Sequence, residues 1–123
     1  MHNPYAELIG LRFKSSGEGR SRCALPVTGQ LLNPHGVLHG GAVYTMADTG
    51  MGAALYTTLE PGEICATIEI KINYFRPVMD GELYCDSELI YRGRSVANLD
   101  AGVYAGDRLI AKANGSFAVF RPR

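Results

Sequence analysis

Between Cys23 and Leu59 the chain carries a single formally charged side chain, Asp48. From Gly40 to about Leu59, apolar residues recur at three- and four-residue spacing, a pattern that predicts one long α-helix. The opposite face of this helix holds small, hydroxyl-bearing or apolar residues and no Lys, Arg or Glu. A helix that is apolar nearly all round is typically buried, so we expect the rest of the fold to enclose it.

Asp48 lies in the middle of this apolar helix. An ionised carboxylate in such a setting is costly to desolvate unless it is hydrogen-bonded or takes part in chemistry. The alternative is a structural Asp satisfied by a neighbouring hydroxyl or by a subunit partner. Because aspartate has a poor helix propensity and no capping role at mid-helix, this alternative explains the residue less well. Asp48 is therefore the best candidate for a catalytic residue.

The remaining segments predict a short helix and several strands around the long helix. Asn3 followed by Pro4 is typical of a helix start and predicts a helix over residues 3–9. Alternating apolar residues and turn signals predict strands over 12–16, 20–27, 64–75, 82–91, 96–104 and 109–120. One face of the strand over 64–75 is expected to carry Ile68, Ile70, Ile72 and Tyr74. We expect a single domain over residues 1–123, of the α+β class, with an antiparallel β-sheet wrapped around the long central helix.

The composition argues against several classes of function. Twelve basic residues balance twelve acidic ones, so we expect no bulk attraction to nucleic acid. Cys23, Cys65 and Cys85 form no Cys-x-x-Cys pair, which favours free thiols in a reducing cytosol and no metal site. We see no signal peptide, and the helix around Asp48 is too short and too glycine-rich to span a membrane. The expectation is a cytoplasmic protein that needs no cofactor.

A motif at the start of the long helix points to a family. Its members are Asn33, Gly36, His39, Gly40, Gly41 and Asp48. This pattern resembles the hotdog-fold acyl-CoA thioesterases of the phenylacetate-degradation (PaaI-like) type, and the likeness covers nearly the whole chain. The resemblance implies a hotdog fold and the hydrolysis of a thioester of coenzyme A. It also implies a homodimer, or a homotetramer built from dimers.

The resemblance implies a role for each residue around the helix start. A carboxylate partly shielded from water can activate a water molecule or attack a thioester itself, which is the role implied for Asp48. Backbone N–H groups at a helix N-terminus stabilise the oxyanion of a tetrahedral intermediate. Gly40 is implied as the first such donor and Gly41 as the second, although a tight turn would also explain both glycines. For His39 the resemblance implies a residue that holds the loop, with polarisation of the carbonyl region as its second implied, catalytic role.

Asn33 and Thr67 complete the implied catalytic set. The Asn33 amide is implied to orient the attacking water or the thioester, and a turn-forming Asn before Pro34 is the structural alternative. The resemblance places Thr67 where its hydroxyl contacts the attacking water, on a strand expected to pair across a dimer. An ordinary half-buried strand threonine is the alternative for Thr67.

Three arginines are candidates for binding the phosphates of coenzyme A, because a guanidinium group binds phosphate bidentately. They are Arg76, Arg92 and Arg94. Arg92 and Arg94 lie in a turn that contacts the nucleotide in the family that the chain resembles. Solvated turn charges are the alternative interpretation.

The helix around Asp48 also suggests the kind of acyl group. The expected walls of an apolar acyl pocket are Tyr44, Met51, Leu55 and Tyr56. Gly50 and Gly52 leave limited room between helix and sheet. The pocket is therefore expected to favour aryl-acetyl or short- to medium-chain acyl groups.

Two other functions are compatible with the same fold, and the first is that of a hydroxyacyl-thioester dehydratase. Hydratase-type relatives place a His five residues after the Asp. This chain has Ala53 at that position, which argues against the hydratase type. A second type of hydroxyacyl-thioester dehydratase pairs a His with a helical acid, which His35 or His39 with Asp48 would imitate. The Gly-Gly after His39 fits the thioesterase pattern better. A non-catalytic acyl-CoA-binding protein is the other alternative, although the chain shows no helix-turn-helix segment and no basic excess.

Overall fold

The computed structural model describes residues 2–123 of the chain. The Asn3 side chain accepts a hydrogen bond of 3.0 Å from the Ala6 backbone N–H, which caps the first helix as the Asn3–Pro4 pair predicts. Within these residues the α-helices are α1 (Pro4–Ile9) and α2 (Gly40–Tyr56), and Gly29–Leu31 forms a short 3₁₀-helix. The strands are β1 (Arg12–Gly17), β2 (Arg20–Pro26), β3 (Ile64–Tyr74), β4 (Glu82–Arg92), β5 (Val96–Ala105) and β6 (Arg108–Phe120).

The strands of residues 2–123 form a six-stranded antiparallel sheet in the order β1-β2-β4-β5-β6-β3. Strands β1 and β3 are its edges. Helix α2 packs mainly against β2, β3, β4 and β5. This confirms the predicted α+β arrangement, in which an antiparallel sheet wraps around the long helix.

Gly50 sets how closely α2 approaches the sheet. A Cβ atom on Gly50 would lie 2.7 Å from the Ser87 hydroxyl, so only glycine allows this contact. The buried Ser21 hydroxyl donates a hydrogen bond of 2.6 Å to the Gly50 carbonyl. The sheet-facing side of α2, including Met46 and Met51, is fully buried.

The other side of α2 is only partly covered. Three of its residues, Thr45, Asp48 and Gly52, are half-buried. A single chain therefore encloses one face of the helix, whereas we expected the fold to enclose the whole helix. The helix also ends at Tyr56, three residues earlier than expected. The hydroxyls of Thr57 and Thr58 each donate to a carbonyl of the last helical turn at 2.8 Å, and these bonds close the helix end. No helix in residues 2–123 has the length and apolarity needed to cross a membrane.

Candidate active site

Asp48 lies half-buried on the open face of α2, beside the edge strand β3. The hydroxyl of Thr67 on β3 donates a hydrogen bond of 2.7 Å to Asp48 Oδ1. No other group in residues 2–123 donates to this carboxylate. One carboxylate oxygen is thus oriented, and the other is available to a water molecule or a substrate.

A β-bulge decides which residues of β3 face the helix. The pairing of β3 with β6 shifts between Thr67 and Glu69, so Ile68 is an extra residue. Thr67 pairs with the buried Phe117 and therefore lies on the helix side of the sheet, whereas Ile68 is 57% exposed. The expectation that Ile68 shares the apolar face of this strand is wrong, because period-two alternation breaks at the bulge.

The loop before α2 engages one of the two predicted oxyanion donors. His39 is the N-cap residue of α2, and its Nδ1 accepts a hydrogen bond of 2.8 Å from the Gly41 N–H. This contact agrees with a loop-holding role for His39 and occupies the Gly41 N–H. The Gly40 N–H has no acceptor within residues 2–123. Gly40 is therefore the donor at this helix end that remains for a ligand.

Tyr74, at the end of β3, is a site residue that sequence reasoning missed. Its hydroxyl donates a hydrogen bond of 2.8 Å to the Gly40 carbonyl, and its ring lies 3.4 Å from where a Gly40 Cβ would be. Burial, and secondarily the neighbouring Tyr44, raises the pKa of the Tyr74 phenol above its ordinary value. The phenol therefore keeps its proton. In the sequence Tyr74 appeared as one more residue of an alternating apolar strand.

Asn33 closes the loop that leads to the helix. Its side-chain oxygen accepts hydrogen bonds from the backbone N–H groups of His35 at 2.9 Å and Val37 at 3.3 Å. Gly36 follows with a φ of 79°, which the turn requires. The carboxamide oxygen thus serves the turn, and the amide NH₂ is the part of Asn33 left to orient a substrate.

An apolar cavity opens beside Gly40. Its volume is about 270 Å³, and it lies between the start of α2 and the segment that follows β3. The exposed Arg76 is part of its lining. The other lining residues are Leu38, Gly40, Val43, Tyr74, Phe75, Pro77, Val78 and Ile110. A group bound here would lie next to Gly40.

The two arginines of the β4–β5 turn differ. The guanidinium of Arg92 donates to the Thr58 hydroxyl at 3.2 Å, to Glu63 at 2.9 Å and to the Gly93 carbonyl, so all three of its nitrogens are engaged. Arg94 is exposed. Of this pair, Arg94 is the one whose guanidinium can reach a phosphate without losing internal contacts.

The Arg92 contact is part of a small network at the end of α2. A backbone hydrogen bond to Glu60 and, secondarily, the charge of Arg92 lower the pKa of the Glu63 carboxyl. Glu63 precedes β3 and Arg92 ends β4, so the ion pair joins these two segments. This network is structural and lies away from the carboxylate of Asp48.

Two of the expected pocket walls lie elsewhere. Met51 and Leu55 are 0% exposed and belong to the core between α2 and the sheet. They are therefore not available to line an open acyl pocket. Tyr44 is half-buried and Tyr56 is 53% exposed.

Cys65 also lies near Asp48 without having been expected there. Burial, and secondarily the negative charge of Asp48, raises the pKa of the Cys65 thiol. Both effects favour the neutral thiol, which is a poor nucleophile. Asp48 therefore remains the stronger candidate for the reacting group.

Gly40 and Asp48 of the same chain are too far apart to act on one carbonyl. They are separated by eight positions on α2, and at a rise of 1.5 Å per residue this is about 12 Å along the helix axis. A donor lies about 3 Å from the oxyanion that it stabilises. A general base lies within about 3.2 Å of the group it deprotonates. The short Asp side chain does not span the difference.

Another hollow of the molecule lies away from the candidate site. A hollow of about 750 Å³ lies over β1, β2, β4 and β5, and it is lined by polar and charged groups such as the ion pair of Arg22 and Asp86. None of the residues placed above at the candidate active site lines it. No cluster of three His, Cys, Asp or Glu residues suited to a metal ion occurs in residues 2–123.

Residues 35–112 match the family described as the thioesterase superfamily. Among sequences, the 1,4-dihydroxy-2-naphthoyl-CoA hydrolase of Listeria monocytogenes is 30% identical over 89 residues, which are 72% of this chain and 72% of that protein.

Solved structures share the fold. The conserved protein PA5202 of Pseudomonas aeruginosa has a TM-score of 0.94 and 39% identity, covering 98% of this chain and 96% of that one. A phenylacetic acid degradation-related protein of Ralstonia eutropha has a TM-score of 0.89 and 26% identity, covering 96% and 91%. These neighbours confirm the hotdog fold and the resemblance to the PaaI-like group.

Proposed function

This chain belongs to the thioesterase superfamily and is a thioester hydrolase, and from that premise we propose that it hydrolyses acyl-CoA to free acid and coenzyme A. The observation that carries the proposal is that α2 holds both an oriented Asp48 carboxylate and, at its N-terminus, a Gly40 N–H with no acceptor in residues 2–123. The first supplies a base or nucleophile and the second an oxyanion donor.

In the proposed reaction, the thioester carbonyl oxygen binds at the Gly40 N–H. Asp48 takes a proton from a water molecule, whose oxygen attacks the carbonyl carbon. The intermediate then expels coenzyme A as the C–S bond breaks, and the thiolate is protonated. If Asp48 attacks the carbon itself, the C–S bond breaks, coenzyme A leaves as a thiolate that is then protonated, and water hydrolyses the resulting anhydride. Label found in Asp48 after a single turnover in ¹⁸O-labelled water identifies the anhydride route, because water that attacks the Asp48 carbonyl carbon of the anhydride leaves its oxygen there.

We place the complete site between two copies of the chain. Gly40 and Asp48 of one copy are about 12 Å apart along the helix axis, so each would act with its counterpart from the other copy. Two features support this arrangement: the edge strand β3 presents a free hydrogen-bonding edge, and Ile64 and Ile68 are 41% and 57% exposed along it. Pairing of β3 with β3 of a second copy would form a homodimer. Two such dimers would then associate to form a homotetramer.

The cavity beside Gly40 supports aryl-acetyl or short- to medium-chain acyl groups. Its volume of about 270 Å³ lies just below the range of roughly 300–1,000 Å³ that small-molecule sites occupy. Its lining is mostly apolar, with Arg76 as its charged member. Arg76 and Arg94 are the proposed contacts for the phosphates of coenzyme A.

Thiol release from a series of CoA esters tests the proposal. We expect kcat/KM to rise along the straight-chain series and then to fall. It should rise because each methylene that fits the cavity contributes about 0.8 kcal/mol of binding free energy. Phenylacetyl-CoA or benzoyl-CoA should match the best of the series. No thiol release from any ester would refute the proposed reaction, while a rate that climbs through palmitoyl-CoA with inert aryl esters would refute the pocket. Loss of the double bond of crotonyl-CoA without thiol release would indicate a dehydratase instead.

A further inference from the structure

The edge strand β3 contacts both parts of the proposed catalytic machinery. Near its start Thr67 holds Asp48, and at its end Tyr74 holds the carbonyl of Gly40. We propose that Tyr74 is a positioning residue for the oxyanion donor, acting through the first peptide of α2. This inference rests on the proposed function and adds a residue that affects the rate of the proposed thioester hydrolysis.

The peptide between Gly40 and Gly41 is held at both of its ends. Its N–H donates to His39 Nδ1 at 2.8 Å, and its carbonyl accepts from the Tyr74 hydroxyl at 2.8 Å. A peptide unit is planar, so two such bonds fix its orientation. Because this peptide cannot rotate freely, the direction of the neighbouring Gly40 N–H at the helix end is restricted as well. Glycine at both positions would otherwise leave this turn loose.

The Tyr74 ring also lies close to the backbone of Gly40. Two of its ring carbons and its hydroxyl oxygen lie 3.4 Å from the position that a Cβ on Gly40 would take, which is ordinary van der Waals contact. Tyr74 also lines the apolar cavity. Tyr74 and Gly40 thus line the same cavity and lie close to each other there.

The bulge at Ile68 allows one strand to serve both groups. Thr67 and Tyr74 are seven positions apart, an odd number, so in a regular strand their side chains would point to opposite faces. The extra residue restores a common face: Thr67 pairs with Phe117 and Tyr74 with Ala111, both of which are buried under the helix. Removing the bulge would therefore release either Asp48 or Gly40.

A positioning role of this kind has a kinetic signature. The oxyanion forms only on the way to the transition state, so a misdirected Gly40 N–H weakens transition-state binding more than substrate binding. A residue that merely supported the fold would change stability, or would affect kcat and KM together. The separation of these parameters distinguishes the two roles.

The test is Tyr74→Phe, which keeps the ring and removes the hydroxyl. We expect kcat for the best acyl-CoA to fall about tenfold while KM stays within about twofold. The affinity for an S-alkyl-CoA thioether, which has no carbonyl, should be unchanged. Tyr5→Phe is the matched control, since Tyr5 is 57% exposed on α1 and lies outside the site. Circular dichroism before assay confirms that each variant is folded.

Each outcome bears on one claim. A kcat for Tyr74→Phe equal to that of Tyr5→Phe, or an equal loss in kcat and in thioether affinity, overturns the positioning role. Should Tyr74→Phe not fold, Tyr74→His keeps a ring but is too short to place a donor where the Tyr74 hydroxyl lies. A kcat about tenfold lower with unchanged thioether affinity in the folded His variant then supports positioning, and a wild-type kcat overturns it. If the wild-type enzyme releases no thiol from any acyl-CoA, the proposed function itself fails, and the role of Tyr74 fails with it.

Discussion

The Thr67 hydroxyl donates a hydrogen bond of 2.7 Å to Asp48 Oδ1, so that the edge strand of the sheet orients the acidic side chain of the central helix. Both residues belong to the same chain. The contact satisfies one oxygen of a half-buried carboxylate and sets the direction of the other.

Asp48→Asn should keep the fold and the shape of the site but lose the base or nucleophile. We expect kcat to drop by about 10²- to 10⁴-fold, with binding of a thioether analogue of acyl-CoA retained. Asp107→Asn, in an exposed turn, is the control. A variant that keeps more than half of the wild-type kcat would falsify the assignment of Asp48.

Thr67→Val should remove the hydrogen bond to Asp48 while preserving the branched shape. Because hydrogen bonds to charged groups contribute about 1.5–3 kcal/mol, we expect kcat to fall roughly tenfold to a hundredfold. Thr67→Ser restores the hydroxyl and should recover most of the rate. Steady-state kinetics of the three proteins provide the measurement, and equal rates for the Val and Ser variants would contradict the role of the hydroxyl.

Arg94→Ala should raise KM for CoA esters and leave kcat nearly unchanged, since phosphate contacts far from the carbonyl stabilise the ground and transition states alike. A short thioester without the nucleotide should be hydrolysed as before. Equal losses on both substrates would show that Arg94 acts on the fold instead.

Arg92→Ala is the matched comparison, because its guanidinium bonds to Thr58, Glu63 and Gly93 inside the chain. We expect the main effect on the free energy of unfolding, a loss of about 1–3 kcal/mol, with KM close to that of the wild type. Chemical denaturation measures it. A stable Arg92→Ala variant with a raised KM would instead indicate that Arg92 binds the phosphates of coenzyme A.

Mixing two inactive variants tests whether the site joins two copies. Asp48→Asn lacks the carboxylate, and Gly40→Pro lacks the N–H while suiting the first helical position. The extended ψ of 134° at His39 also suits a following proline. If each site takes Gly40 from one copy and Asp48 from the other, co-refolding should restore about a quarter of the wild-type activity, since half of the random dimers are mixed and one of their two sites is intact.

The same mixture has a clear opposite outcome. Activity that stays at the level of the separate variants, with mixed dimers shown by native mass spectrometry, means that both residues act within one chain. Light scattering at micromolar concentration provides the independent measurement, because full activity in a monomer would contradict the two-copy site.

Much of the fold and the position of the candidate site could be predicted from the sequence. The α2 pattern, the Asn3 cap and the alternating strands are local signals that depend on residues a few positions apart. The lone charge of Asp48 within an apolar helix is also visible without coordinates. These features specified the helix, the strand order along the chain and the residue most suited to chemistry.

Only the tertiary structure decided what each of these residues touches. The bulge at Ile68 depends on the pairing of β3 with β6, and it alone turns Thr67 toward Asp48. Tyr74 reaches Gly40 across 34 positions of the chain, and Arg92 reaches Glu63 across 29. Period-two and helical patterns carry no information about such distant contacts. The sequence by itself determined which elements form and where the carboxylate lies, whereas long-range packing selected its partners.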